Sequence, residues 1–206
     1  MRVLSFSYCF PNHANSSWGM FVYQRLAALA KQEELQVCSP VPWFPVLTNR
    51  RGNPGPAKES WNGLTVHRPR FFYFPGVFKN QDARLYALGL RRWLRGLCID
   101  WRPDVLDAHF VWPDGVGVAF LAKELKIPYV ITLRGKLYEC LPIPSQRRQC
   151  AAALQHASAV ISNSSLMAHE ARKLGAAVDH LVVIPNGINH EQFHPKDKLT
   201  CRRELD

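Results

Sequence analysis

An imidazole, an indole and a carboxylate stand close together at His109, Trp112 and Asp114, just after the short apolar run that begins at Val105. A histidine there can orient a hydroxyl or accept its proton. Other polar groups follow other apolar runs. Pro128–Leu133 ends in Arg134-Gly135, Ala159–Ser162 in Asn163-Ser164-Ser165, and Val182–Ile184 in Pro185-Asn186-Gly187. An arginine is always charged and offers a fixed fork of donors, which suits a phosphate or a carboxylate better than a neutral hydroxyl. Gly19 precedes an apolar-periodic stretch, as a glycine does where backbone N–H groups at a helix start approach a phosphate.

The elements that would carry these residues alternate. Val3–Ser7, Leu35–Ser39 and Leu64–His67 are expected strands, and Met20–Glu33 and Asp82–Leu97 expected helices. Three strand–helix units follow, at Asp104–Leu125, Pro128–His156 and Ala159–Leu174, then a last strand at Leu181–Ile184. Val41–Asn62, rich in Pro, Gly and Arg, is expected to be a long loop. Such alternation predicts an α/β fold, a doubly wound parallel sheet with helices on both faces. In such a sheet ligands bind beyond the carboxyl ends of the strands. All the polar groups above would then line one edge.

The chain has 206 residues, 47% of them hydrophobic, which suits one domain with a tail. The start is not that of a secretory signal, and no apolar run approaches the roughly 18 residues that span a bilayer. Six scattered cysteines without a C-x-x-C pair argue against a zinc site and a disulfide framework, and predict reduced thiols in a cytoplasmic protein. No G-x-G-x-x-G is present, which argues against a dinucleotide-dependent dehydrogenase.

The formal charge is +10, and Arg68–Arg102 concentrates it, with eight basic residues, two acidic ones and eight aromatics. Basic plus aromatic residues predict an anionic partner with an apolar component. In Asp82–Leu97, Tyr86, Leu90, Trp93, Leu94 and Leu97 form one stripe, with Arg84, Arg91 and Arg95 opposite. That is either a helix packed on the sheet with a solvated basic face or a contact with an anionic membrane surface, peripheral on its inner face. Basic residues spread over a loop and a helix without a recognised motif do not describe a nucleic-acid binder.

The order of motifs resembles the amino-terminal half of family-4 retaining glycosyltransferases of the GT-B fold. The residues that carry the resemblance are Pro11 with Gly19-Met20-Phe21-Val22 and Leu26, then Asp104-Val105-Leu106-Asp107-Ala108-His109. Ile127–Gly135, Ala159–Ser164 and Val183-Ile184-Pro185-Asn186-Gly187-Ile188 with Phe193-His194-Pro195 follow in the family's order. The resemblance implies a Rossmann-like domain that binds mainly a saccharide or lipid-linked acceptor. It faces a second domain that holds the nucleotide-sugar donor, and transfer retains configuration, with no metal and no cofactor. Residues 1–188 would be the acceptor-side domain and residues 189–206 the start of an interdomain linker. The donor domain, with the family's E-x7-E pair, is not matched here, so the chain alone is expected to be inactive.

Two departures from the family stand out: Arg134-Gly135 where His-Gly is common, and Trp18-Gly19 where a Gly-Gly pair is common. The expected catalytic residues are His109 and Arg134, and the expected substrate-binding residues Gly19, Trp18, Asp114 and Asn186. Each has a structural alternative. Gly19 is a turn glycine, His109 a hydrogen-bonded sheet-edge residue, and Asp114 the cap of a Gly115–Leu125 helix. Arg134 pairs with Glu139 or another local acid, and Asn186 belongs to a linker turn. The rival to the enzyme is a non-catalytic half-domain that binds a partner or an anionic membrane surface.

Overall fold

The computed structural model describes residues 1–45, 53–188, 190 and 193–205. Seven strands of one sheet are parallel. In chain order they are β1 (Arg2–Phe6), β2 (Glu34–Cys38), β5 (Leu64–His67), β7 (Val105–His109), β8 (Tyr129–Leu133), β9 (Ala159–Ser162) and β10 (Leu181–Val183). With the antiparallel edge strand β4 (Lys58–Trp61) they lie in the order β10-β9-β8-β7-β1-β2-β5-β4. The first strand is central, with β2 on one side and β7 on the other. It is buried on both faces from Val3 to Phe6, as a strand inside a covered parallel sheet must be.

Side chains alternate between the two faces of each strand. On one face Leu4, Phe6, Leu106, Ala108, Ile131 and Leu133 join the larger core. The helices that cover it are α2 (Asp82–Asp100), α3 (Val116–Leu125), α4 (Lys136–Cys140), α5 (Pro144–Gln155) and α6 (Ser165–Lys173). On the other face Val3, Leu35, Val37 and Val66 pack on Val22 and Leu26 of α1 (Met20–Leu29). The expected doubly wound sheet is therefore present, with helices on both faces.

Three differences concern the expected elements. The first helix ends at Leu29, not Glu33. The stretch read as a long loop holds β3 (Val41–Trp43) and β4, while its residues 46–52 lie outside the described residues. Asn62 and Gly63 both have positive φ and join β4 to β5 in a two-residue hairpin, with Trp61 opposite Leu64. Asn-Gly favours that turn because both residues tolerate the left-handed region. Lastly, part of the aromatic run is the strand β6 (Arg70–Phe72), paired with β3. There Phe71 is buried, and Phe72 and Phe74 pack on Trp43, Phe44 and Phe78. The segment expected to begin a linker leads into α7 (Lys198–Leu205); its residues 189, 191, 192 and 206 lie outside the described residues.

Candidate functional site

On the α1 side of the sheet, the alternation that buries Val3 also places Ser5, Asp107, His109 and Thr132 inward. Register brings them together, since Ser5 lies opposite Asp107 and His109 opposite Thr132. A polar ladder thus runs through an otherwise apolar layer. Buried polar groups must find partners, and these mostly do. Ser5 Oγ donates to Asp107 Oδ2 at 2.8 Å. Arg25, from the second turn of α1, donates to Thr132 Oγ1 at 2.7 Å.

Asp107 Oδ2 is also 3.0 Å from His109 Nε2, a close contact without the alignment of a hydrogen bond. Burial alone would raise the Asp107 carboxyl. His109 and Arg25, with the Ser5 bond, outweigh burial and hold it well below the usual carboxylate range. His109 is 0% exposed, and burial pushes its pKa down despite Asp107. Its Nδ1 accepts a long bond of 3.4 Å from Arg134 Nη2. A guanidinium cannot accept, so the ring is neutral with its proton on Nε2.

Arg134 follows β8 directly and is only 4% exposed. Its Nη1 donates to Asn186 Oδ1 at 3.1 Å, and its guanidinium lies 4.7 Å from the ring centroid of Phe21. The same Asn186 oxygen accepts from Asn163 Nδ2 at 3.3 Å. Nε is buried and has no partner. Among the described residues, every close contact of this cation is with a neutral group. Burial, and then the neighbouring Arg25 charge, lower its pKa to about 10. The expected structural alternative, an ion pair with Glu139, does not form, because Glu139 pairs with Lys136 and is exposed.

The other expected residues surround this centre. Gly19 has φ +71 and forms the N-cap of α1. A Cβ there would lie 2.3 Å from the carbonyl oxygen of Cys9, so both conformation and space require glycine. Trp18 is exposed and its Nε1 reaches the Tyr8 carbonyl at 3.5 Å. Phe110 is held at φ +74, and its ring meets Tyr8 and Phe21. A bulky residue at positive φ is strained, and here it lies next to His109.

Asp114 is placed differently. It is fully buried in the π-type turn Val111–Gly115, ahead of α3, and does not cap that helix. Its Oδ2 accepts from the Tyr8 N–H at 3.1 Å. Burial raises its pKa to about 8, so at neutral pH it is mostly an uncharged acid beneath the Tyr8 turn. The structure thus brings His109, Arg134 and Asn186 together, puts Gly19 and Trp18 on the neighbouring loop, and leaves Asp114 behind them.

Sequence reasoning missed Arg25, Asp107 and the stacking role of Phe21. The i, i+2 spacing of Asp107 and His109 shows that they share a strand face. The i, i+4 spacing of Phe21 and Arg25 likewise puts both on one side of α1. No local signal tells that the two faces meet.

The comparisons with known proteins bear on the family and the fold. A family model described as "Glycosyl transferase 4-like domain" matches residues 19–187. A curated relative is 28% identical over 215 residues, the "Putative teichuronic acid biosynthesis glycosyltransferase TuaC" of Bacillus subtilis (strain 168); the match covers 100% of the chain and 55% of the relative. Among solved structures, sucrose-phosphate synthase from Thermosynechococcus elongatus superposes with a TM-score of 0.66 at 14% identity, covering 100% of this chain and 52% of that one. Anabaena Alr3699/HepE, in complex with UDP and glucose, gives 0.61 at 17%, covering 100% and 50%. These likenesses show the fold, and the chain spans about half the length of each of these three proteins. With most of its length matched by that family model, the chain belongs to the glycosyl transferase 4-like family.

Proposed function

We propose that the chain is the acceptor-side half of a retaining hexosyltransferase of GT-B architecture. It moves a sugar from a nucleotide-sugar to a saccharide or lipid-linked acceptor. The observation that carries this reading is the meeting of His109, Arg134 and Asn186 at the carboxyl ends of parallel strands, where α/β sheets take ligands, with Gly19 at the start of the helix whose Phe21 touches Arg134. Family membership supports it, as do the relative named for teichuronic acid biosynthesis and the solved neighbour complexed with UDP and glucose. Residues 1–188 serve as the acceptor-side domain, and residues 189–206 begin the linker to a donor-side domain.

In this reading the half-site positions and stabilises charge. Gly19 lets the start of α1 approach a ligand, with Trp18 beside it. Arg134 meets negative charge. His109, buried beneath, fixes the Arg134 side chain from below, and Asn186 fixes it from the rim. The chain should be inactive without a donor-side partner. The test is an assay of the full-length protein, and of the 206-residue chain alone, on a panel of nucleotide-sugars with saccharide and lipid-extract acceptors. Product anomers are read by NMR. Transfer with retention by the full-length protein only is expected. Transfer by the chain alone at about 1 s⁻¹ or more, or none by the full-length protein with any pair, would overturn it.

A peripheral contact with an anionic membrane at the cytoplasmic face goes with the lipid-linked option. Among the described residues Arg70, Arg84 and Arg92 are exposed and have no ion pair, and Val77, Phe78 and Leu88 are exposed near them in sequence. Arg91 and Arg95 do not belong to this surface in the way the helix pattern implies. Both are taken by Glu124 of α3, at 2.8 and 2.6 Å. No helix among the described residues is long and apolar enough to cross a membrane.

A further inference from the structure

Two guanidinium groups meet at the same part of the sheet edge, and among the described residues one carboxylate answers them. Arg25 Nη1 donates to Thr132 at 2.7 Å, Thr132 lies opposite His109 in the ladder, and Arg134 Nη2 reaches His109 at 3.4 Å, so the two guanidinium groups hold neighbouring residues. Among the described residues Asp107 is the acid that balances the pair. His109 is neutral, so the group of Asp107, His109, Arg25 and Arg134 carries one uncompensated positive charge. Its centre is buried: Arg134 is 4% exposed and Asp107 6%. An uncompensated charge inside a protein is costly, and the usual remedies are a paired counter-ion or loss of the charge. Arginine does not take the second route at neutral pH. No carboxylate lies within 4 Å of either guanidinium among the described residues.

The donors left over point the same way. Arg134 Nε has no partner, Nη1 is held only by the amide of exposed Asn186, and Nη2 makes a long bond to an imidazole. Arg25 is half-buried and uses one donor on a threonine hydroxyl. Planar forks of this kind match the paired oxygens of a carboxylate or a phosphate. Phe21 holds the Arg134 plane from the α1 side, which leaves the Asn186 rim as the way in.

We propose that Arg25 and Arg134 form a subsite for an oxyanion carried by a substrate, a carboxylate or a phosphate, whose single negative charge completes the cluster. This rests on the glycosyltransferase reading for calling the ligand a substrate. It adds that the group bound at this strand edge is acidic, so a neutral sugar alone does not fill it.

The test titrates the 206-residue chain and follows the arginine Nε–H resonances by ¹H–¹⁵N NMR. Methyl glucuronide supplies the carboxylate, inorganic phosphate and UDP supply phosphate, and methyl glucoside is the neutral control. At least one anion should shift the Arg134 Nε–H signal, with affinity lower by about tenfold or more in Arg25→Gln and in Arg134→Gln. Tighter binding of the glucuronide assigns the subsite to an acidic sugar. Tighter binding of phosphate or UDP assigns it to a phosphate. Arg25→Gln changes a half-exposed side chain and keeps the test sound if Arg134→Gln does not fold. Equal affinity in parent and Arg25→Gln, no shift with any anion, or an equal response to the glucoside would overturn the proposal. Anion binding by a chain whose full-length form transfers nothing would leave the subsite standing and remove the enzyme reading. Transfer that is unchanged by Arg25→Gln and Arg134→Gln would do the reverse.

Discussion

The guanidinium of Arg134 lies 4.7 Å from the ring centroid of Phe21, so the first turn of α1 is fastened to the end of β8 through a cation and a ring. Such contacts contribute about 0.5–2 kcal/mol. The direct measure is a double-mutant cycle with Phe21→Leu and Arg134→Gln, read by urea unfolding. A coupling of about 0.5–1 kcal/mol is expected. Zero coupling would mean that the two groups are only neighbours.

The neutral surroundings of Arg134 separate its role in stability from its role in activity. Its contacts are with an amide, an imidazole and a ring, so Arg134→His should cost no more stability than the ring contact contributes, about 0.5–2 kcal/mol. In the full-length protein it should lower kcat/KM on an acidic substrate by about 2–3 kcal/mol, the scale of a charge-assisted hydrogen bond. Unfolding of the variant with unchanged activity per folded molecule would make Arg134 a structural residue.

Gly19→Ala should be among the more damaging single changes. It meets both a positive φ and a backbone carbonyl at 2.3 Å from the new Cβ. A cost of about 1–3 kcal/mol is expected in chemical denaturation. A cost below that range would show that the Cys9 turn can move aside.

Asp114 gives a pH signature of unusual sign. Its folded pKa, about 8, lies above the ordinary carboxylate value. Between the two values the folded form keeps a proton that the unfolded form releases. Its contribution is therefore full below the unfolded pKa and is lost as pH rises toward 8, by up to about 1.4 kcal/mol per pH unit for one proton. Asp114→Asn keeps the acceptor for Tyr8 N–H and removes the titration. The stability of the variant minus that of the parent should grow from about pH 4 to pH 8. A constant difference would show that Asp114 is not held neutral. Asp107 and His109 drive stability in the opposite direction, falling with acid, which is why the difference between variants is the informative quantity.

The membrane surface has its own discriminating set. Arg84→Glu with Arg92→Glu and Arg70→Glu should abolish binding to anionic vesicles at low salt. Arg91→Glu with Arg95→Glu should instead loosen α2 from Glu124 on α3 and show as a lower unfolding midpoint. Unimpaired vesicle binding by the first set would remove the surface.

Much of this architecture is legible in the chain because its signals are local. Apolar runs ending in polar turns mark β7, β8, β9 and β10 and the edge where the site lies. The ladder of Ser5, Asp107 and Thr132 is not legible in the same way. It depends on which strands become neighbours, and β1 meets β7 only after about 100 intervening residues. β3 and β6 escaped notice because three-residue strands, one with a central proline, lack a measurable period. Glu124 could not be matched to Arg91 and Arg95 without knowing that α3 packs beside α2. Asp114 read equally well as a cap, since cap and buried acid share one sequence pattern.

An imidazole has a single lone pair in the ring plane, and in His109 it already faces Arg134. A base needs that lone pair free. While the two side chains hold their places, His109 has nothing with which to take a proton from a substrate, whatever its distance from the reacting atoms. Conversely, a proton that does reach Nδ1 turns an acceptor into a donor facing a donor and sets two cations side by side. Acid would then push Arg134 out of its seat, and the acidic limb of any activity profile would report His109 through the arginine that it seats.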